Sequence, residues 1–204
     1  IDAVQFSYDY FRSSTAGSLE LGTTDTTDIK RLKLLSIQKG IVNSPIQLPP
    51  YKFEYYEDTA LPRRCSYDVD HWGYANGSGG YNNRFTPNTT TPFKINGLTV
   101  TPPTGGQYRE PRFSYTKAFS IKKITDPLGV TTQFEFEPNK ITADTTGGGM
   151  RIKSITVEDP VSKQKQVRNF DYSLNSRRSS GELFRKPAYW AEVLNEYNIS
   201  GSKY

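Results

Sequence analysis

The stretch SYDVDHWGYANG, residues 66–77, holds the only histidine of the chain, His71, next to Asp70 and three residues after Asp68. Carboxylates beside an imidazole are the raw material of metal sites and of acid–base catalysis. The spacing argues against both. On an extended strand successive side chains point to opposite faces, so Asp68 and Asp70 share one face and His71 takes the other. A metal site needs three or more converging ligands. No second histidine exists, and the single cysteine, Cys65, is six residues from His71. A serine hydrolase would have to use His71, and no GxSxG elbow is present. A glycosidase needs two carboxylates facing each other across a cleft. Asp68, Asp70, Glu54 and Glu135 are available, but their spacing singles out no pair. The chain is therefore read as having no catalytic residue, no metal ligand and no cofactor.

The aromatic residues of the same stretch suggest two other roles. Trp72 and Tyr74 can pack as an architectural clasp against the aromatic faces of neighbouring hairpins, with Gly73 and Asn76-Gly77 permitting the tight path. Alternatively Trp72, Tyr74 and Tyr81, with Tyr189 and Trp190, form an aromatic surface on which sugar rings stack, and Asn82 and Asn83 bond hydroxyls. The clasp is the simpler reading. It leaves His71 partly solvated or bonded to backbone.

Composition bounds the framework that must position these groups. The chain has 204 residues, with 14 Tyr and 11 Phe but a single Met. Aromatic and β-branched residues suit a pleated, half-buried surface, so an antiparallel all-β protein is expected. Net charge is +5, from 26 basic and 21 acidic residues. The surplus lies mostly in residues 151–204, but acids are interleaved with it, which argues against a nucleic-acid partner. One cysteine permits no internal disulfide and leaves the redox compartment open. No apolar run reaches the ~18 residues of a membrane span. The opening IDAVQFSYDY shows neither an initiator Met nor a signal peptide, so the chain is expected to be mature, excised, or the ordered part of something longer.

Two short patterns recur. An aromatic–acidic–aromatic triplet appears as Tyr8-Asp9-Tyr10, Phe53-Glu54-Tyr55, Phe134-Glu135-Phe136 and Phe170-Asp171-Tyr172. On a strand each puts two rings on one face and a carboxylate on the other. The second pattern is RLKLLSIQ (31–38), AFSIKKIT (118–125) and MRIKSITV (150–157). Aligning Ile37, Ile124 and Ile155 superposes Leu34, Ile121 and Ile152. Three residues separate the aligned pairs, so strict alternation breaks there, which calls for a bulge or burial on both faces. Asp126-Pro127-Leu128-Gly129 suits a type I turn. Three related hairpins plus one opening strand make an internal repeat. Residues 75–106, rich in Gly, Asn, Thr and Pro, read as a flexible insertion, with a short hairpin in FKINGLTV across Asn96-Gly97. Gly147-Gly148-Gly149 is either a hinge or a close backbone approach. One short helix is expected near the C-terminus, over about 188–197.

In this order, RLKLLSIQ, YKFEYYEDTALPRRCSYDVDHWGYANG, ITDPLGVTTQFEFEPN, GGGMRIKSI, FDYS and SSGELFRKPAYW, the chain resembles large RHS/YD-repeat surface proteins of Bacteroidota, from about Lys30 to Trp190. The resemblance implies a secreted or cell-surface location, a parent chain of over a thousand residues, and repeats that coil into a β-sheet shell, with a toxin effector in some members. Residues 1–204 are then one β-rich module with a non-catalytic, structural function. Its partners are the remainder of its own chain and outer-membrane secretion or surface-anchoring proteins. Tyr8, Phe53, Tyr55, Phe134, Phe136, Phe170 and Tyr172 serve as buried structural rings. The alternatives are a carbohydrate- or protein-binding surface module, or a cargo region recognised by secretion machinery.

Overall fold

The computed structural model describes residues 2–14, 26–41, 48–77, 93–95, 98–100, 108–142, 145–175 and 178–181. The helix expected over 188–197 and the residues Tyr81, Asn82, Asn83, Tyr189 and Trp190 lie outside these.

The chain is mostly antiparallel β-sheet. Its strands are β1 (Asp2–Arg12), β2 (Lys30–Ile41), β3 (Tyr51–Tyr55), β4 (Phe93–Ile95), β5 (Leu98–Val100), β6 (Ile121–Thr125), β7 (Thr131–Lys140), β8 (Thr146–Glu158), β9 (Lys165–Asn169), β10 (Ser173–Asn175) and β11 (Arg178–Ser179). A 3₁₀ turn spans Thr26–Ile29, and one short helix, α1, spans Phe113–Lys117. Seven strands form one sheet in the order β1-β2-β3-β6-β7-β8-β9. These are the opening strand and the three hairpins that the repeats require. β4 and β5 form the separate two-stranded ribbon expected in FKINGLTV.

The turns are built by their own side chains. Gly129 N–H bonds Asp126 O at 3.0 Å, and Asp126 Oδ1 accepts the N–H groups of Leu128 and Val130, both at 2.9 Å. Gly129 has φ +87°, a left-handed conformation that glycine adopts without steric cost. At the β8–β9 turn Asp159 Oδ1 accepts the N–H groups of Val161 and Ser162. Those bonds hold the Asp159 carboxyl below the usual carboxylate range.

The break in alternation is a bulge, and it recurs at equivalent positions. Ser7 faces Ser36 but Tyr8 faces Leu34, leaving Leu35 extra. Glu54 faces Lys123 but Tyr55 faces Ile121, leaving Lys122 extra. Glu135 faces Ser154 but Phe136 faces Ile152, leaving Lys153 extra. The ladder also corrects one alignment. The partner of Ile37 is Phe6, as Phe53 is of Ile124 and Phe134 of Ile155. The β1 equivalent of the triplets is therefore Phe6-Ser7-Tyr8, displaced by two residues from Tyr8-Asp9-Tyr10.

By this register Phe6, Tyr8, Phe53, Phe134 and Phe136 pair with aliphatic residues, Tyr55 and Tyr172 lie beside the cations Lys33 and Arg151, and the acidic residues take the face opposite Phe53 and Phe134. There they meet cross-strand partners: Glu54 and Lys123 Nζ at 2.5 Å, Glu137 and Arg151 Nε at 2.6 Å, and Glu135 accepting from Ser154 Oγ at 3.1 Å. The apolar face is not sealed. Among the described residues the buried apolar side chains are Phe11, Pro62, Tyr67 and Ala118, and of these only Phe11 lies in a strand of the sheet. Phe53, Tyr55, Phe134, Phe136 and Tyr172 are half-buried, while Tyr8 and Tyr10 are 52% and 53% exposed and Phe170 is 40% exposed. The expected burial of the triplet rings is corrected accordingly. Phe11 is packed from elsewhere: its ring stacks on Phe119 with centroids 4.4 Å apart and meets Tyr55 edge-on at 4.9 Å.

The bulge makes a direct prediction. Because the side-chain period is two, deleting Lys153 moves one end of β8 to the opposite face. The deletion should cost on the order of 4 kcal/mol or prevent folding, whereas Lys153→Ala should stay within about 1 kcal/mol of wild type. Urea denaturation of both variants measures this. Equal stabilities would remove the bulge as the register-setting element.

Candidate functional site

The chain between β3 and β6 folds into a tight hairpin centred on the residues that open the chemical question. Val69 and Ala75 are bridged antiparallel. Asp70 N–H bonds Tyr74 O at 2.7 Å, and Asn76 N–H bonds Asp68 O at 3.0 Å. Gly73, with φ +88°, turns the corner. Asp70 Oδ1 accepts the N–H groups of Trp72 at 2.8 Å and Tyr74 at 2.9 Å, an Asx-type arrangement that organises the loop from inside. Asp68 and Asp70 are 1% and 3% exposed and share a face, as alternation requires. Burial pushes the Asp70 carboxyl above its usual range, against the N–H groups of Tyr74 and Trp72 and the nearby His71, which pull it down.

A second segment, 108–110, braces the hairpin. His71 N–H bonds Arg109 O at 3.1 Å. Asn76 Nδ2 donates to Tyr108 O at 2.7 Å. Arg109 Nη1 donates to Tyr67 O at 3.1 Å and Val69 O at 2.6 Å. Asn76 is fully buried and Arg109 is 3% exposed. Arg112 Nη1 donates to Gly77 O at 3.1 Å. The innermost part of this excursion is thus polar. Most of its groups are tied to backbone, the condition for burying them, while Asp70 Oδ2 and Asn76 Oδ1 are buried without a hydrogen-bond partner among the described residues. Sequence reasoning missed Asn76 as a brace and missed Arg109 altogether. Neither sits in a pattern that announces burial.

Trp72 and Tyr74 act as a clasp, but on a different platform from the expected aromatic faces. The three glycines of β8 provide it. A Cβ placed on Gly148 would lie 2.6–2.8 Å from Cβ, Cγ and Cδ2 of Trp72, and one on Gly149 would lie 3.1 Å from Tyr74 Oη. The indole therefore rests directly on backbone, and any larger residue would displace it. The glycine run is strand rather than hinge, and close approach is its role. Asn139 Nδ2 secures the platform by donating to Gly148 O at 2.9 Å. Trp72 is half-buried, and Tyr74 is 46% exposed. The His71 ring meets Trp72 edge-on at 5.8 Å.

Beside this contact is a cleft of about 370 Å³. Trp72 and Tyr172 contribute aromatic rings, Asn139, Lys140 and Arg151 contribute polar groups, and Gly147 and Gly148 contribute bare backbone. Arg151 is held in place: its guanidinium lies 4.2 Å from the Tyr172 ring centroid, Nε donates to Glu137 at 2.6 Å, and Nη1 donates to Ser179 Oγ at 2.7 Å. Among the described residues no three His, Cys, Asp or Glu side chains are grouped to hold a metal ion. Glu54 and Glu135 sit in cross-strand pairs of the sheet, whereas Asp68 and Asp70 are buried in the hairpin.

Two outcomes test this geometry. Gly148→Ala should cost about 1–3 kcal/mol by overpacking, and most of that cost should vanish in a Trp72→Ala background. Denaturant midpoints of the four proteins in the cycle decide it. Additive costs would mean that indole and glycine are not in contact. For Asp70, a raised folded pKa means that stability carried by the neutral carboxyl is present at low pH and is lost as pH rises through the folded value. Wild-type stability measured against Asp70→Asn should accordingly fall as pH rises from the ordinary aspartate range through the higher folded value. A difference that grows with pH would contradict the burial of this carboxyl.

Comparison with protein-family models, curated proteins and solved structures gives no match to the chain, so its function is argued from this geometry.

Proposed function

We propose that the chain is a non-catalytic structural segment of a larger secreted or cell-surface protein of the RHS/YD-repeat type, forming one stretch of an extended β-sheet shell. The observation that carries the reading is the repeated pairing module at the β9 edge. In the two inner hairpins, the triplet that follows the hairpin pairing turns outward and binds the next bulged strand. The fourth triplet is built the same way on its inner side. Phe170 N–H bonds Lys153 O at 3.0 Å, and Tyr172 Oη donates to Ile152 O at 2.8 Å, as Tyr55 Oη does to Leu34 O. Among the described residues β9 ends the sheet, and only the β10–β11 ribbon follows.

One further feature supports the reading. The sheet is long, and its apolar face encloses almost no core of its own, which fits a wall better than a two-layer globule. Among the described residues no helix is long and apolar enough to cross a membrane. In this reading the partners are the rest of the parent chain and the outer-membrane machinery that exports or anchors it.

The test is isolation of the native polypeptide from cells that make it, using antibodies to this segment. A product far above 23.1 kDa, removed by protease added to intact cells, is expected. A protected native product of 23.1 kDa would overturn the proposal.

A further inference from the structure

We infer that the cleft between Trp72 and Tyr172 binds an acidic carbohydrate, a pyranose unit carrying a carboxylate. This goes beyond the scaffold reading and does not depend on it. A pyranose presents apolar C–H faces and a rim of hydroxyls. Its recognition needs flat aromatic surface together with fixed polar groups that can bond hydroxyls. The cleft has both. Trp72 supplies the ring, and Asn139 and Arg151, the latter stacked on Tyr172, supply planar polar groups. Its volume of about 370 Å³ lies within the range of small-molecule sites, roughly 300–1,000 Å³.

The polar groups are preorganised. Asn139 is fixed by Gly148 O, and Arg151 is fixed by Glu137, Ser179 and the Tyr172 ring. Fixing them before binding lowers the entropy cost of complex formation. The glycines of β8 add a reason for the shape. A side chain at Gly148 would displace the indole and one at Gly147 would press on Ile141, so both positions keep bare backbone in the lining.

Charge selects the class of sugar. The side chains lining the cleft include two cations and no carboxylate. Glu137 offsets Arg151, so the selectivity falls to Lys140, an exposed residue at the end of β7. A carboxylate on the sugar would gain a charge-assisted bond there, roughly twice as strong as a neutral one. A nucleotide phosphate is a poorer fit. The glycine run lies within a strand, not at the start of a helix where N–H groups converge on an anion.

The experiment titrates the 204-residue chain with a glucuronate-containing tetrasaccharide, with the neutral glucose tetrasaccharide and with inorganic sulfate, read by saturation-transfer NMR and tryptophan fluorescence. The acidic sugar should bind, and the neutral one should bind at least ~10-fold more weakly, equivalent to 1.4 kcal/mol. Lys140→Gln, at an exposed position, should remove that difference by weakening the acidic sugar alone. Trp72→Phe, which keeps a ring on the glycine platform, should weaken both. Absence of binding by either sugar at millimolar concentration would overturn the inference. So would sulfate competing as well as the acidic sugar, or affinities unchanged in both variants.

Discussion

One extra residue in every second strand sets the architecture of this sheet. Without the bulges at Leu35, Lys122 and Lys153, a simple alternation could not place Leu34 with Ile37, Ile121 with Ile124, or Ile152 with Ile155 on one face. With them, each aliphatic pair meets two rings of the neighbouring strand, and each central acidic or serine residue faces a polar partner. The interruption has its own brace. In two of the repeats a tyrosine hydroxyl bonds the carbonyl immediately before the extra residue, Tyr55 to Leu34 and Tyr172 to Ile152. Such bonds satisfy a carbonyl where the ladder is disturbed. The middle repeat carries Phe136 at that position and lacks the hydroxyl.

The excursion between β3 and β6 follows a different physical logic. Its described residues around Asp70 are held by polar side chains bonded to main chain. Asn76 and Arg109 join two segments that would otherwise leave carbonyls unpartnered, and Asp70 orders the loop carrying the indole. The cost of burying these groups is offset only while the bonds remain complete. The arrangement is specific, because the donors and acceptors converge in one geometry. It holds Trp72 over the single stretch of backbone bare enough to receive it.

Much of the sheet was legible in the sequence, because the information is local. The triplets, the Asp-Pro-Leu-Gly turn, the three-residue break and the FKINGLTV ribbon are each written within a few neighbouring residues. The β1 register was not legible. Phe6-Ser7-Tyr8 lacks the acidic residue, and Tyr8-Asp9-Tyr10 resembles the other triplets more closely, so type and position disagree. The helix Phe113–Lys117 was missed because five residues rich in aromatic and hydroxyl side chains carry weak helical preference; it forms where the chain lies against β7 and β8. At the candidate site, the packing of Trp72 could be expected from its ring and the glycine that follows it. Its platform could not, since glycines signal freedom or proximity equally well until the neighbour is known. Arg109 is a tertiary choice, set by the carbonyls of Tyr67 and Val69.

β3 and β6 are neighbours in the sheet although the whole excursion separates them in the chain. The entropy of closing such a connection grows only logarithmically, by about 0.6 kcal/mol for each doubling of length. The seam between these two strands is therefore nearly indifferent to what is threaded through it. Seen this way, the sheet is a constant frame with a cassette position. Its register is set on both sides of the insertion by residues within the strands, and the cassette can diverge in length and surface chemistry without disturbing the frame. The glycine platform on β8, the packing of Phe113–Lys117 against β7 and β8, and the Lys33–Glu57 pair tie the two together.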